Sequence, residues 1–132
     1  MLALTSLFLV TNAVHALLKN YIVYGLAFAG LTITSLLYHT GSKDYTSVYT
    51  RVVFWLDQAC IYAIFSIGFY YVLQIPLLYQ LAAVLSIGLC IFYYYYGKLT
   101  NQFCWDKEVG ALYHGFMHIA GALGHHAIMM GL

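Results

Sequence analysis

Long apolar segments alternate with short polar ones along the whole chain. The apolar segments are residues 2–18, 21–39, 52–73, 77–96 and 109–131. An α-helix rises about 1.5 Å per residue, so about 20 apolar residues cross the hydrocarbon core of a bilayer. The pattern therefore predicts an all-α bundle of five transmembrane helices, the first of them short. No internal repeat, linker or low-complexity tail interrupts it, which predicts a single transmembrane domain over residues 1–132.

The composition also indicates a membrane protein. Hydrophobic residues make up 64% of the chain and charged residues only 7%. A small soluble domain leaves about a third of its unfolded surface in water, so it could not hide this much apolar area. The net charge of +1 gives no support for nucleic-acid binding. The three cysteines, Cys60, Cys90 and Cys104, form no C-x-x-C pair, and we interpret them as small apolar fillers.

The basic residues predict how the chain lies across the membrane. We call the face that holds the N-terminus side A, and five spans then place loops 40–51 and 97–108 on side A as well. These loops carry Lys43, Arg51, Lys98 and Lys107. The opposite face, side B, has only Lys19. The positive-inside rule therefore predicts that side A is cytoplasmic and that the C-terminus lies on the opposite side. Nothing in the sequence indicates the organelle, or decides between a monomer and a homo-oligomer.

Four ionisable residues within the apolar segments form a candidate site. His114 and His118 are four residues apart, so they project from one face of the fifth predicted helix and can reach the same metal ion. His39 ends the second predicted helix, and Asp57 lies early in the third. Counting the membrane crossings places all four side chains in the side A half of the membrane. Ionisable groups at membrane depth are costly and are usually functional.

Three neutral imidazoles that leave one position for water are typical of a catalytic zinc site. The chain offers no thiolate cluster, and too few oxygen ligands for magnesium or calcium. Asp57 could accept a hydrogen bond or a proton from the water. Ser35 is four residues before His39 on the same helix face, and its hydroxyl could orient the water or donate to a developing oxyanion. His39 or Ser35 alone is more often structural, so it is their shared depth that indicates a site.

Three blocks of the sequence resemble the signature blocks of one membrane hydrolase superfamily. The blocks are Ser35-Leu-Leu-Tyr-His39, Arg51-Val-Val-Phe-Trp-Leu-Asp57 and His114-Gly-Phe-Met-His118. The superfamily groups alkaline ceramidases, progestin/adiponectin-type receptors, haemolysin-III-like proteins and myomaker-like proteins. The resemblance implies a Zn²⁺ ion held by the three histidines, with Ser35 and Asp57 beside its water, and hydrolysis of lipid amide or ester bonds.

The helix count departs from this superfamily, whose members typically have seven helices. Three spans usually separate the Asp helix from the H-x-x-x-H helix there, whereas this chain has room for one. Losing two adjacent spans preserves the crossing parity, so the site can persist while part of the wall of its lipid cavity is missing. We expect a zinc-dependent intramembrane lipid hydrolase that cleaves an amide bond of a ceramide-like membrane lipid. The alternative is a non-catalytic, zinc-stapled receptor or assembly protein of the same superfamily.

Three further histidines fall in the side B half of the membrane. They are His15, near the end of the first predicted helix, and His125 and His126, late in the fifth. Hydrogen bonding near the interface is the default interpretation. A second metal site, or a haem held by His15 with His125 or His126, is the alternative.

Overall fold

The computed structural model describes residues 2–41, 44, 46–99 and 108–132, and within this part of the chain every regular element is helical. The helices are α1 (Leu2–Ser6), α2 (Phe8–Leu18), α3 (Ile22–Thr40), α4 (Val48–Val72), α5 (Leu77–Leu99) and α6 (Glu108–Gly131). The predicted all-α fold class is confirmed. The predictions on Lys43, Cys104, Lys107 and the side chain of Lys98 lie outside the described residues.

The first predicted helix consists of two parts, α1 and α2, which meet at Leu7. Tight turns join them: the Leu7 N–H donates to the Leu4 carbonyl at 3.2 Å, and the Val10 N–H donates to the Leu7 carbonyl at 3.1 Å. The hydroxyls of Thr5 and Ser6 both donate to the Leu2 carbonyl. Such local side-chain bonds compete with the regular helix ladder and often bend it, which accounts for the interruption.

A compact turn connects α2 to α3. Asn20 has a φ of 64°, in the left-handed region that Asn tolerates better than most residues. The Tyr21 N–H donates to the Ala16 carbonyl and the Asn20 N–H donates to the Leu17 carbonyl, the pair of bonds that defines a Schellman motif. This motif satisfies the last carbonyls of α2 and turns the chain back at once. As a result, α2 and α3 are antiparallel neighbours.

Successive long helices run in alternating directions. Tyr21 at the start of α3 contacts Tyr71 at the end of α4, with ring centroids 5.1 Å apart, which shows that these two helices are antiparallel. The first and last segments are parallel instead: Thr5 lies beside His118, and Lys19 donates to the Met129 carbonyl at 2.7 Å. This arrangement agrees with the crossing order on which the predicted site depends.

Four helices surround the interior of the bundle. α2 packs against α3, α3 against α4, and α6 against α2, while contacts between α4 and α6 are few. Across the described residues, α3 and α6 face each other without close backbone contact. Large side chains such as Phe28 and His125, whose ring centroids are 5.0 Å apart, fill the space between them. α5 packs almost only against α6, on the outside of this ring.

The outer surface of the bundle is apolar. Three helical segments in the described part of the chain are long and apolar enough to cross a membrane: Ile22–Thr40, Val48–Val72 and Leu77–Gly97. The first segment, Leu2–Leu18, is shorter, and α6 has 24 residues but contains four histidines. Large apolar side chains on every long helix are exposed, as expected for a surface solvated by lipid. The protein is therefore a helical membrane protein, as the composition predicts.

Candidate metal centre

Three histidine rings meet in the interior near side A. His39 lies in the last turn of α3, and His114 and His118 lie on successive turns of α6. The ring centroids are 4.6 Å apart for His114 and His118, 5.1 Å for His39 and His114, and 5.4 Å for His39 and His118. One nitrogen from each ring lies within 4.8 Å of the other two. The three predicted ligands are thus brought together from two helices.

The closest approach joins two nitrogens of the same helix. Nε2 of His114 is 3.0 Å from Nε2 of His118. Two lone pairs cannot face each other at this distance without repulsion, so a proton or a cation must lie between them. Two nitrogens bound to one tetrahedral zinc ion, each about 2.05 Å from it, are about 3.3 Å apart. The observed separation is therefore close to the one that a shared ion requires.

The arrangement of donors fits a transition metal. Three imidazoles suit zinc, copper, iron or nickel, whereas magnesium and calcium prefer oxygen. Among the described residues, no cysteine or carboxylate belongs to the three-nitrogen group. Three protein ligands leave one tetrahedral position for water or substrate, which is typical of catalytic rather than structural zinc. His114 is only 9% exposed, and His39 and His118 are partly buried.

Thr5 contacts the cluster from α1 and was missed by the sequence analysis. Its Oγ1 is 3.0 Å from Nδ1 of His118. A hydroxyl in an apolar segment is a weak signal, because threonine is common in membrane helices. Only the parallel packing of α1 beside α6, across a sequence separation of 113 residues, brings this side chain to the site.

Ser35 lies one turn before His39, as predicted, and is 2% exposed. Its Oγ is 2.8 Å from Oγ of Ser6, and the Ser6 hydroxyl donates to the Leu2 carbonyl at 3.1 Å. Because the single Ser6 proton is used on that carbonyl, Ser35 donates to Ser6. Ser35 is then left with lone pairs, so it can accept a hydrogen bond from a water but is not set to donate to an oxyanion. Of the two roles considered from sequence, this geometry favours the first.

Asp57 is buried, at 7% exposed, and its carboxylate is not part of the three-nitrogen group. Its Oδ1 accepts a hydrogen bond of 3.1 Å from the Thr34 hydroxyl. Thr34 precedes His39 by five residues, which corresponds to about 8 Å along α3 and about 140° around it. Both this axial offset and the rotation about the helix axis separate the Thr34–Asp57 contact from His39. The hydrogen-bond contact of Asp57 is with Thr34 rather than with the three rings, and its catalytic role stays a prediction.

A second polar cluster occupies the side B half of the bundle. His15 and His126 contact each other directly through their Nδ1 atoms at 2.9 Å, and Thr11 lies 2.8 Å from Nε2 of His126. His125 is hydrogen-bonded to the buried Tyr24 hydroxyl. All three side B histidines are therefore engaged in hydrogen bonds within the protein. This arrangement corresponds to the default interpretation from sequence, and its geometry offers no group of three ligands in the described chain.

Comparisons with protein-family models, with curated proteins and with solved structures found no match. What the fold and the site define is a class: an all-helical membrane protein with three converging histidines inside one half of the bundle. Membership of the hydrolase superfamily stays a prediction that rests on the three sequence blocks.

Proposed function

We propose that the protein is a zinc-dependent intramembrane lipid hydrolase that cleaves an amide bond of a ceramide-like lipid. The observation that carries the proposal is the group of three imidazole nitrogens within 4.8 Å of one another, inside a bundle whose outer surface is apolar. A polar cluster of this kind is costly at membrane depth and is rarely kept without a function. The resemblance of the three sequence blocks supplies the reaction and the class of lipid.

His39, His114 and His118 would hold the zinc ion. When bound, zinc polarises a carbonyl and lowers the pKa of water to near neutrality. Asp57 would accept a proton from the attacking water at its carboxylate and return it to the leaving nitrogen as the carbon–nitrogen bond breaks. Ser35 would orient the water by accepting a hydrogen bond from it. The surrounding membrane would solvate the helix bundle and would also supply the lipid substrate.

We also propose that the three-histidine site faces the cytoplasmic half of the membrane. Arg51 lies at the start of α4, and the predicted topology assigns the lysines of loops 40–51 and 97–108 to the same side. Lys19 is the one basic residue of the side B connections. The positive-inside rule then assigns side A to the cytoplasm. A lipid substrate would accordingly come from the cytoplasmic leaflet.

A second candidate function is a zinc-stapled receptor or assembly protein without catalysis. Two observations favour it. The cluster joins α3 to α6, two helices that have no close backbone contact in the described chain, so a metal would tie them together. Asp57 also lies outside the three-nitrogen group. A structural metal needs neither a free coordination position nor a nearby carboxylate.

The substitution Asp57→Asn distinguishes the two functions. The full chain would be purified in detergent, its zinc content measured, and the release of fatty acid followed from ceramide and from ester-linked phospholipid in mixed micelles. For a hydrolase, Asp57→Asn should lower turnover by about 100-fold or more, the range that general acid–base catalysis provides, while zinc content and thermal stability persist.

Two results would contradict the proposal. Folded protein that contains no zinc after saturation and removal of excess metal would rule out both functions. Zinc-loaded protein that hydrolyses neither class of lipid would leave the staple as the better interpretation. Thr34→Val is a suitable control, because it removes the hydrogen-bond donor of Asp57 but keeps the carboxylate itself.

A further inference from the structure

We infer that Thr5, on the short helix α1, is the positioning residue that sets the ring tautomer of His118 and thereby prepares its Nε2 as a metal ligand. This inference rests on the proposed metal site, but it concerns a residue that none of the sequence blocks contains. The observation behind it is a chain of two hydrogen bonds that runs from the Leu2 carbonyl through the Thr5 hydroxyl to the imidazole.

The direction of each bond follows from the number of protons available. A threonine hydroxyl has one proton and two lone pairs. Oγ1 of Thr5 is 2.9 Å from the Leu2 carbonyl oxygen, which can only accept, so the hydroxyl proton is used there. Thr5 must then accept in its second bond, and Nδ1 of His118, at 3.0 Å, must donate. His118 therefore carries its proton on Nδ1.

A neutral imidazole that is protonated on Nδ1 has its lone pair on Nε2. Nε2 of His118 is the atom that lies 3.0 Å from Nε2 of His114. The nitrogen that Thr5 leaves unprotonated is therefore the one that faces the other ligand. Metal-bound histidines commonly donate their second ring N–H to such a partner, and loss of the partner typically weakens metal binding about 10- to 100-fold.

The position of Thr5 strengthens the argument. The carbonyl that takes its proton belongs to the first turn of α1, and the same carbonyl also accepts from Ser6. α1 thus contacts His118 on α6 through Thr5 and Ser35 on α3 through Ser6.

The chain provides a matched control at Thr11. Its hydroxyl also donates to a backbone carbonyl, that of Phe8, and lies beside a histidine nitrogen, Nε2 of His126 at 2.8 Å. Thr5→Val and Thr11→Val therefore make the same change in shape, and each removes one threonine–histidine hydrogen bond. Only the first of these bonds reaches a proposed ligand. Thr5→Ser keeps the hydroxyl and should rescue the effect.

The test measures zinc affinity by competition with a chromophoric chelator, on the full chain in detergent. Thr5→Val should weaken zinc binding about 10- to 100-fold, whereas Thr11→Val and Thr5→Ser should bind within about threefold of the unaltered protein. Equal affinity in Thr5→Val and the unaltered protein would overturn the inference. A matching loss in Thr11→Val would overturn it too, because the effect would then be a general loss of packing.

A spectroscopic measurement on metal-free protein separates this inference from the proposed function. Nitrogen-15 spectra of labelled histidine distinguish Nδ1–H from Nε2–H imidazole, and the His118 signal is the one lost in His118→Ala. The signal should report Nδ1–H in the unaltered protein and shift towards Nε2–H in Thr5→Val. An Nε2–H signal in the unaltered protein would refute the inference even where zinc binds, whereas failure of lipid hydrolysis would refute only the function.

Discussion

The substitutions His118→Ala and His126→Ala form a closely matched pair. Each removes one imidazole from α6, and each breaks two polar contacts: His118 contacts Thr5 and His114, while His126 contacts Thr11 and His15. Losing two hydrogen bonds costs about 1–3 kcal/mol in either case. Without added metal, the two variants should therefore lose similar amounts of thermal stability.

Added zinc should stabilise the two variants to different extents. A ligand at 100 times its Kd stabilises the folded state by about 2.7 kcal/mol. Removing a direct ligand weakens binding more than removing its hydrogen-bond partner does, so we take about 1,000-fold for His118→Ala. At the same free zinc concentration, the stabilisation then falls below about 0.1 kcal/mol. His126→Ala should keep the full increment, because its side chain is not part of the three-nitrogen group.

The assay is thermal unfolding in detergent with and without buffered zinc, together with metal content after gel filtration. The quantity to compare is the shift in Tm that zinc produces, since the baseline loss cancels from that difference. An equal zinc-dependent shift in both variants would show that His118 is not a ligand. Loss of the shift in His126→Ala alone would place the metal in the side B cluster instead.

Two further predictions address packing and topology. A Cβ added at Gly68 would lie 2.9 Å from Cε1 of His125 and 3.1 Å from the Tyr24 hydroxyl, so Gly68→Ala should destabilise the protein by about 1–3 kcal/mol with zinc content unchanged. Unaltered thermal unfolding would show that the interior has more room than these distances allow. Thr46 precedes α4 and Gln74 follows it, and both are exposed. With the native cysteines replaced, Thr46→Cys and Gln74→Cys should react with a membrane-impermeant maleimide from opposite faces of sealed vesicles. Labelling of both from the same face would show that α4 does not cross the membrane.

The number and direction of the helical segments could be predicted from the sequence, because both depend only on the length and polarity of each segment. The five helical regions follow from runs of apolar residues, and their alternating directions follow from the short connections. Boundaries were less accurate: α4 begins at Val48, four residues before the predicted start. Val48–Arg51 mixes apolar and polar residues, and a polar side chain at the membrane surface does not end a helix.

Rotation about the helix axes could not be predicted in the same way. His39 and the H-x-x-x-H pair meet because depth and a four-residue spacing are enough to align them. Asp57 falls in the same half of the membrane, but it contacts Thr34, which lies more than one turn before His39 and on a different side of α3. That choice depends on how the large rings of the interior pack. The contact of Thr5 with His118 could not be predicted either, since it depends on which helices, distant in sequence, become neighbours.

The parallel contact between the first and last helical segments has a consequence for biosynthesis. His39 emerges from the ribosome 79 residues before His118, and elongation at about 5–20 residues per second makes that interval roughly 4–16 s. Throughout this time, α1 to α3 precede α6, and Thr5 and His39 lack their contacts with the α6 histidines. The nascent protein must therefore shield these polar groups by other means, such as contact with the insertion machinery or with water. A stalled or truncated chain that lacks α6 would expose these polar side chains to lipid. Membrane quality control could recognise an incomplete protein by this exposure.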